Sequence, residues 1–114
     1  VDVIRKLDEL PWKPHPVIPG VRIKPFISEK EDSLNVTCML VNVPVGTDVT
    51  EHIHPTQDDI LHPLAGKATM WVDGTGDFTL EPGIVVRVPK GTKHKITGVT
   101  EELVIFDVFC PALF

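Results

Sequence analysis

No apolar run in this 114-residue chain approaches the roughly 18 residues that a membrane-spanning helix needs. A helical membrane span is therefore not expected. The opening VDVIRKLDEL mixes both charge signs and lacks the apolar stretch of a secretory signal. A cytoplasmic location is the expectation. Because the first residue is valine rather than methionine, earlier removal of residues, and with it export, stays open. Cysteine is scarce: Cys38 and Cys110 are the only two, far apart and in no CxxC pair. A disulfide framework is not expected, and two reduced, partly buried thiols are. Basic residues are outnumbered, 11 Lys and Arg against 16 Asp and Glu, which leaves a formal charge of −5. A nucleic-acid partner would need a concentrated basic face, and the one cluster, Lys90, Lys93 and Lys95, reads as a solvated loop. Internal repeats and low-complexity segments are also missing.

What is present suits one domain. Hydrophobic residues make up 42% of the chain and charged residues 24%, near the average for globular proteins. A chain of this size buries roughly two-thirds of its unfolded surface. Within residues 1–10, Val3, Ile4, Leu7 and Leu10 fall near one helical face, which predicts a short N-terminal helix. PWKPHPVIPG, residues 11–20, contains four prolines and a glycine and reads as an extended arm.

From Val21 onward the signals are short and strand-like. VRIKPFI, LNVTCMLVNV, VTEHIHP, ILHPLAG, KATMWVD, DFTLE, IVVRVP, HKITGV and ELVIFDVF are each bounded by Gly, Pro, Asp or Lys-rich turns. Many are rich in Val, Ile, Thr and Phe, and several alternate apolar with polar residues. Asp73-Gly74 and Glu81-Pro82-Gly83 are turn sequences. No helical pattern appears after residue 20, which argues against an alternating α/β fold. The reading is all-β, an antiparallel sandwich or barrel over residues 21–114, with residues 1–20 as helix and proline-rich arm.

The stretch HIHPTQDD, residues 52–59, concentrates two histidines and two aspartates. Residues two apart on a strand share a face, so His52 and His54 converge and two imidazoles can share an ion. Alone, HxH is equally well explained by two surface or core histidines. The wider frame adds to it. Gly46 is followed by five residues and His52, one and His54, four and Asp59, six and Gly66. Gly83 is followed by five residues and Pro89, one and Gly91, two and His94. These two blocks resemble the two signature motifs of the cupin superfamily. The first family motif runs G, five residues, HxH, three or four residues, E, six residues, G. The second runs G, five residues, PxG, two residues, H, three residues, N. The resemblance covers residues 46–98 directly, and the strand-rich region from about 21 to 110 is compatible with it.

The resemblance implies a double-stranded β-helix, or jelly roll, with a metal inside the barrel mouth. It makes His52, His54 and His94 imidazole ligands and puts Asp59 where the family usually has glutamate. Such a set suits one divalent transition ion (Fe, Mn, Ni, Zn or Cu) and leaves one or two positions open for water, substrate or dioxygen. Asp59 is one methylene shorter than glutamate and reaches about 1.5 Å less. It coordinates if its strand sits closer, or acts through a water. Asp58 fits the three-residue variant of the spacing but leaves seven residues before Gly66, so Asp59 is preferred. Gly98 stands at the family's Asn position. Gly46, Gly66, Gly83 and Gly91 read as scaffold positions.

Other residues are more ambiguous. His62 reads as a packing residue or a partner to a ligand, and Pro63 beside it marks an edge strand or a local bulge. His15, between two prolines, is expected in solvent. Asp107 and Phe109 share strand parity. An inward Asp107 would be desolvated, its pKa raised, and would be a candidate general acid or base; an outward one would only bond a neighbouring strand. DVFCP resembles the DVFSP segment of KdgF-type small cupins, which convert unsaturated uronates to linear keto sugar acids. That resemblance implies active-site roles for Asp107 and Phe109. The arginine two residues after the proline is Leu113 here, so Arg87 or Arg22 would have to point inward in its place. Met39, Leu40, Phe26 and Phe78 read as core, while alternation sends one of Met70 and Trp71 inward and the other out.

The resulting expectation is a metal-dependent enzyme acting on a small oxygenated substrate, a sugar acid, keto acid or enol. The ion would polarise an oxygen and Asp107 would move a proton. The alternatives are an iron(II) or copper dioxygenase and a non-catalytic binding or sensor module. Single-barrel cupins commonly pair, so a homodimer is expected, with the Trp12 arm packed either on a second barrel or on its own.

Overall fold

Alternation decides which side of each strand is buried, and the apolar side of every major segment turns toward one core. A computed structural model describes residues 2–114. The strands are β1 (Lys13–Pro14), β2 (Arg22–Ile27), β3 (Thr37–Val43), β4 (Val49–His52), β5 (Asp58–Val72), β6 (Gly76–Leu80), β7 (Val86–Val88) and β8 (His94–Cys110). They form one antiparallel sheet in the order β1-β2-β3-β8-β5-β6, with β4 on β8 and β7 on β5. The sheet curls into a jelly roll. Met70, Leu80, Leu103 and Ile105 are fully buried at its centre, each such side chain contributing about 1.5–3 kcal/mol. Met70 faces in while Trp71 is half-buried under the Lys95 ammonium, 5.6 Å from the ring centroid. Among the described residues, no helix is long and apolar enough to cross a membrane.

Four of the expected strands fuse into two. ILHPLAG and KATMWVD are both part of β5, and HKITGV and ELVIFDVF are both part of β8. The two strands pair from Asp58↔Cys110 to Val72↔His94, with register shifts between Pro63 and Thr69. Bulges of this kind let one strand turn the corner between the two faces of a folded sheet. Pro63 sits at the first shift, so the bulge is the alternative realised there. Gly66, φ 97°, lies inside the irregular stretch, where a Cβ would fall 2.2 Å from the Glu102 carbonyl oxygen. Only a residue without a side chain lets β5 and β8 approach this closely.

The N-terminal helix expected over residues 1–10 is instead a single 3-10 turn, Leu7–Glu9. Val3 and Ile4, half of its supposed apolar face, are 100% and 80% exposed. A segment this short cannot hold a helix without packing, and Pro11 cuts it off. Conversely, one α-helical turn, α1 (Glu29–Asp32), appears where no helical periodicity was expected. Four residues cannot display a period. It is held by its ends: Ser28 Oγ accepts from the Glu31 amide at 3.1 Å, and Ser33 closes it in the left-handed conformation. Arg5 pairs with Asp32 and also donates to the Phe26 carbonyl, tying the N-terminal segment down.

The proline-rich arm folds back on its own chain. β1 pairs with β2 through Lys13↔Ile23 and Pro14↔Arg22. The Trp12 ring is flanked by the Arg22 guanidinium at 5.3 Å and the Lys24 ammonium at 4.8 Å, a cation–π arrangement. Lys24, though buried, donates to the Leu7 carbonyl at 2.7 Å. Both cysteines are free. Cys38 is half-buried as expected, but Cys110 is exposed, because it ends β8 with its side chain on the outer face.

Candidate metal centre

The hydrogen-bonding of two rings prepares them as ligands. His52 ends β4 directly opposite His94, which opens β8. Nδ1 of His52 lies 2.7 Å from the Thr50 carbonyl, and Nδ1 of His94 lies 2.9 Å from the Thr92 carbonyl. A carbonyl can only accept, so each Nδ1 carries the hydrogen and each Nε2 presents a lone pair. The His94 ring is 2% exposed, and its Nε2 has no hydrogen-bond partner. His54 follows two residues after His52 and sets its ring edge-on to Phe109, centroids 4.9 Å apart. The ring centroids of the trio lie 4.2–5.4 Å from one another. One ring nitrogen from each lies within 4.8 Å of the other two. Burial pushes the pKa of His52 and of His54 down, which favours the neutral rings that metal binding requires. An orphaned buried nitrogen among three converging imidazoles fits a metal ion.

Asp59 faces the same point. Alternation along β5 turns it inward, 3% exposed, with Oδ2 3.4 Å from His94 Nε2 and 3.7 Å from His54 Nε2. Two donors each about 2.1 Å from one ion lie roughly 3.0–3.4 Å apart. The His94 contact meets that spacing and the His54 contact is wider. The set of donor atoms within 4.8 Å of one another comprises the three histidines without Asp59. Asp58 turns outward. It accepts from Arg87 Nε at 2.9 Å and from the Lys90 amide at 3.0 Å. Those two contacts, the Lys90 amide first, hold its pKa down and take it out of the site.

Asp107 sits diagonally across from Asp59. β8 sets Asp107 against Leu61 and Phe109 against Asp59, which brings carboxyls on one face within reach. Asp107 is 5% exposed. Burial, and then the charge of Asp59, push its pKa well above 3.8. Burial works to raise the Asp59 pKa, but the neighbouring Asp107 carboxyl and the His94 and His54 rings outweigh it, and its pKa ends lowered. The physical reason is that two carboxylates in one dry site cannot both ionise. The two carboxyls are pushed in opposite directions, Asp107 up and Asp59 down.

A cavity of about 50 Å³ opens beside the histidines. Its polar lining residues are His15, His52, His94 and Asp107; Met39 and Phe109 are among its apolar ones. The position of His15 corrects the expectation of solvent exposure. Its amide donates to the Val21 carbonyl at 2.8 Å, extending the β1–β2 pairing and leaving the ring half-buried against the cavity. An aperiodic proline arm gives no parity from which this could be read. His62 is exposed and lies outside the site, its Nδ1 3.2 Å from the Ile84 carbonyl. Neither candidate arginine points inward: Arg87 is on Asp58, and Arg22 donates to Asn42 Oδ1 at 3.1–3.2 Å. Leu113 is 39% exposed and does not line the cavity.

Fold and site together define a small β-barrel with a histidine cluster at its mouth, and comparison with known proteins agrees. Residues 39–109 match the cupin domain family (Cupin_2), and the chain belongs to that family. Quercetin 2,3-dioxygenase of Bacillus subtilis (strain 168) is 31% identical over 71 residues, covering 62% of this chain and 21% of that protein. The chain thus matches about a fifth of that relative's length. KdgF from Halomonas sp. superposes with a TM-score of 0.77 at 24% identity, over 91% of this chain and 90% of that one. Ectoine synthase from P. lautus superposes at 0.84 with 14% identity, over 98% and 80%. At these identities the structural likeness concerns the fold alone.

Proposed function

We propose that this cupin is a metal-dependent enzyme that acts on a small oxygenated molecule by combining a bound divalent ion with proton transfer through Asp107. The observation that carries the reading is the adjacency of three converging imidazoles to a buried carboxyl, Asp107, whose pKa is raised by burial. His52, His54, His94 and Asp59 hold the ion. When bound, such an ion supplies Lewis acidity toward a substrate oxygen. Asp107 supplies the proton: burial beside Leu61, Ile105 and Phe109 and the adjacent Asp59 charge both favour its neutral form until a substrate atom accepts. Loss of that proton would leave two neighbouring carboxylates, and their mutual repulsion favours returning a proton to Asp107.

Two predictions separate these roles. Asp59→Asn lowers metal affinity by about 10- to 100-fold, the scale found for perturbing a metal's immediate environment, whereas Asp58→Asn leaves it unchanged; metal titrations showing equal losses would contradict the assignment. Asp107→Asn keeps the metal and loses about 10²–10⁴-fold in turnover, the usual scale for a general acid. The linkage has a definite sign. Because the folded Asp107 binds its proton more tightly than the unfolded chain, metal-free protein loses stability as pH rises from near 3.8 through the folded value. Urea melts across this range should show that slope in the parent and a flatter one in Asp107→Asn.

Among the described residues no arginine or lysine lines the cavity, which counts against a uronate or another substrate that needs a fixed cation. A second reading, an iron(II) or copper dioxygenase, draws on the 31% identity over 71 residues with a quercetin 2,3-dioxygenase. Oxygen uptake by iron- or copper-loaded protein, with enols and keto acids offered in turn, decides between the two. Turnover under strict anaerobiosis supports the Lewis-acid reading, and turnover that stops with oxygen removed sinks it.

A further inference from the structure

His15 was not needed to build the metal site, yet it faces the same cavity. Its Nδ1 accepts hydrogen bonds from two backbone amides, Val17 and Ile18, both at 3.0 Å. A nitrogen that accepts two N–H groups carries no hydrogen of its own, so the neutral ring must carry it on Nε2. This is the tautomer opposite to that of His52 and His94, whose Nδ1 atoms donate to carbonyls. The difference has a chemical meaning. His52 and His94 offer lone pairs, whereas the remaining nitrogen of His15 offers a hydrogen and no lone pair, and so cannot ligate an ion.

We propose that His15 is the hydrogen-bond donor that holds an acceptor oxygen of the ligand beside the three-histidine cluster, and that it thereby selects small neutral or singly charged molecules. The inference rests on the metal reading above. The cavity of about 50 Å³ has room for roughly four water-sized groups. Apart from His15, His52, His94 and Asp107, its wall is apolar, with Ile18 from the arm and Met39 and Phe109 from the barrel. A single acceptor oxygen can reach the His15 N–H, while the rest of a ligand meets hydrocarbon. A doubly charged acid would find no second cation there and would bury an uncompensated charge. The class that fits is a compact enol or keto compound, or its singly charged enolate, with an apolar flank. The arm therefore has a task beyond covering the barrel: its turn at Val17 and Ile18 fixes which way the donor points.

The test uses copper(II)-loaded full-length protein and azide as a singly charged acceptor probe, followed by its charge-transfer band. His15→Phe should bind copper as the parent does but hold azide about 10- to 100-fold more weakly, the factor that a hydrogen bond to a charged group represents. His15→Gln, which retains a terminal N–H, should recover most of that loss. Unchanged azide affinity in His15→Phe overturns the proposal, and so does loss of copper, which would make His15 a ligand. Nitrogen-15 spectra of the metal-free protein give an independent reading that does not need the ion. A hydrogen on Nε2 of His15 supports the donor assignment, and a hydrogen on Nδ1 overturns it. A parent that takes up no copper sinks the metal reading, while these spectra still decide whether His15 aims a donor into the cavity.

Discussion

Replacing Gly66 with alanine should destabilise the fold by about 3–5 kcal/mol, among the largest single-site losses. Two costs add. The residue sits at φ 97°, where an L side chain is strained by about 1–3 kcal/mol. The new Cβ would also fall 2.2 Å from the Glu102 carbonyl oxygen and 2.7 Å from Leu103 Cα. These are backbone atoms of the paired strand, so relief requires moving β8. The consequence reaches the site, because the β5–β8 register places Asp59 beside Phe109 and Val72 beside His94. Thermal melts should fall by more than about 10 °C for a chain of this length, and metal affinity should fall with them. Gly74→Ala is the control. It has a similar φ of 85° but nothing within 4 Å of its Cβ, so it should lose only the backbone strain. Equal losses in the two variants would mean that the close approach at Gly66 does not matter.

The second large effect concerns the ion. A ligand that binds only the folded state stabilises it by about 4.1 kcal/mol at a thousand times its dissociation constant. The parent should therefore melt well above its chelator-treated form when supplied with zinc, nickel or manganese. The His52→Ala, His94→Ala variant should show no such rise at the same concentrations, because the two facing imidazoles supply half of the proposed donor set. A metal-induced rise of similar size in both proteins would place the binding elsewhere.

The donor set was the most readable part of the chain. The separation of two between His52 and His54 survives any error in strand boundaries, and the count from Gly46 to Gly66 chose Asp59 over Asp58. The structure gives that choice a cause, since Asp58 turns outward onto Arg87 and the Lys90 amide. Asp107 was harder. Strand parity paired it with Phe109 but left open which face was inward, and only the register against Leu61 and Met39 puts both inside. The long strands look like separate pieces in the sequence because Gly66 closes the run ILHPLAG and the polar Thr100-Glu101 separates HKITGV from ELVIFDVF. Both interruptions are absorbed into continuous strands. Residues 1–20 were the least readable. Their helix-like spacing had no surface to pack on, and the inward turn of His15 depends on β1 pairing and two local amides that no pattern encodes.

The most direct test of the account is the metal content of untagged protein purified without chelators, set beside the His52→Ala, His94→Ala variant. About one equivalent of a divalent transition metal is expected in the parent, the occupancy of a single donor set, and almost none in the variant. A parent that stays metal-free even after reloading would contradict it and would leave HIHPTQDD as a polar pocket without an ion.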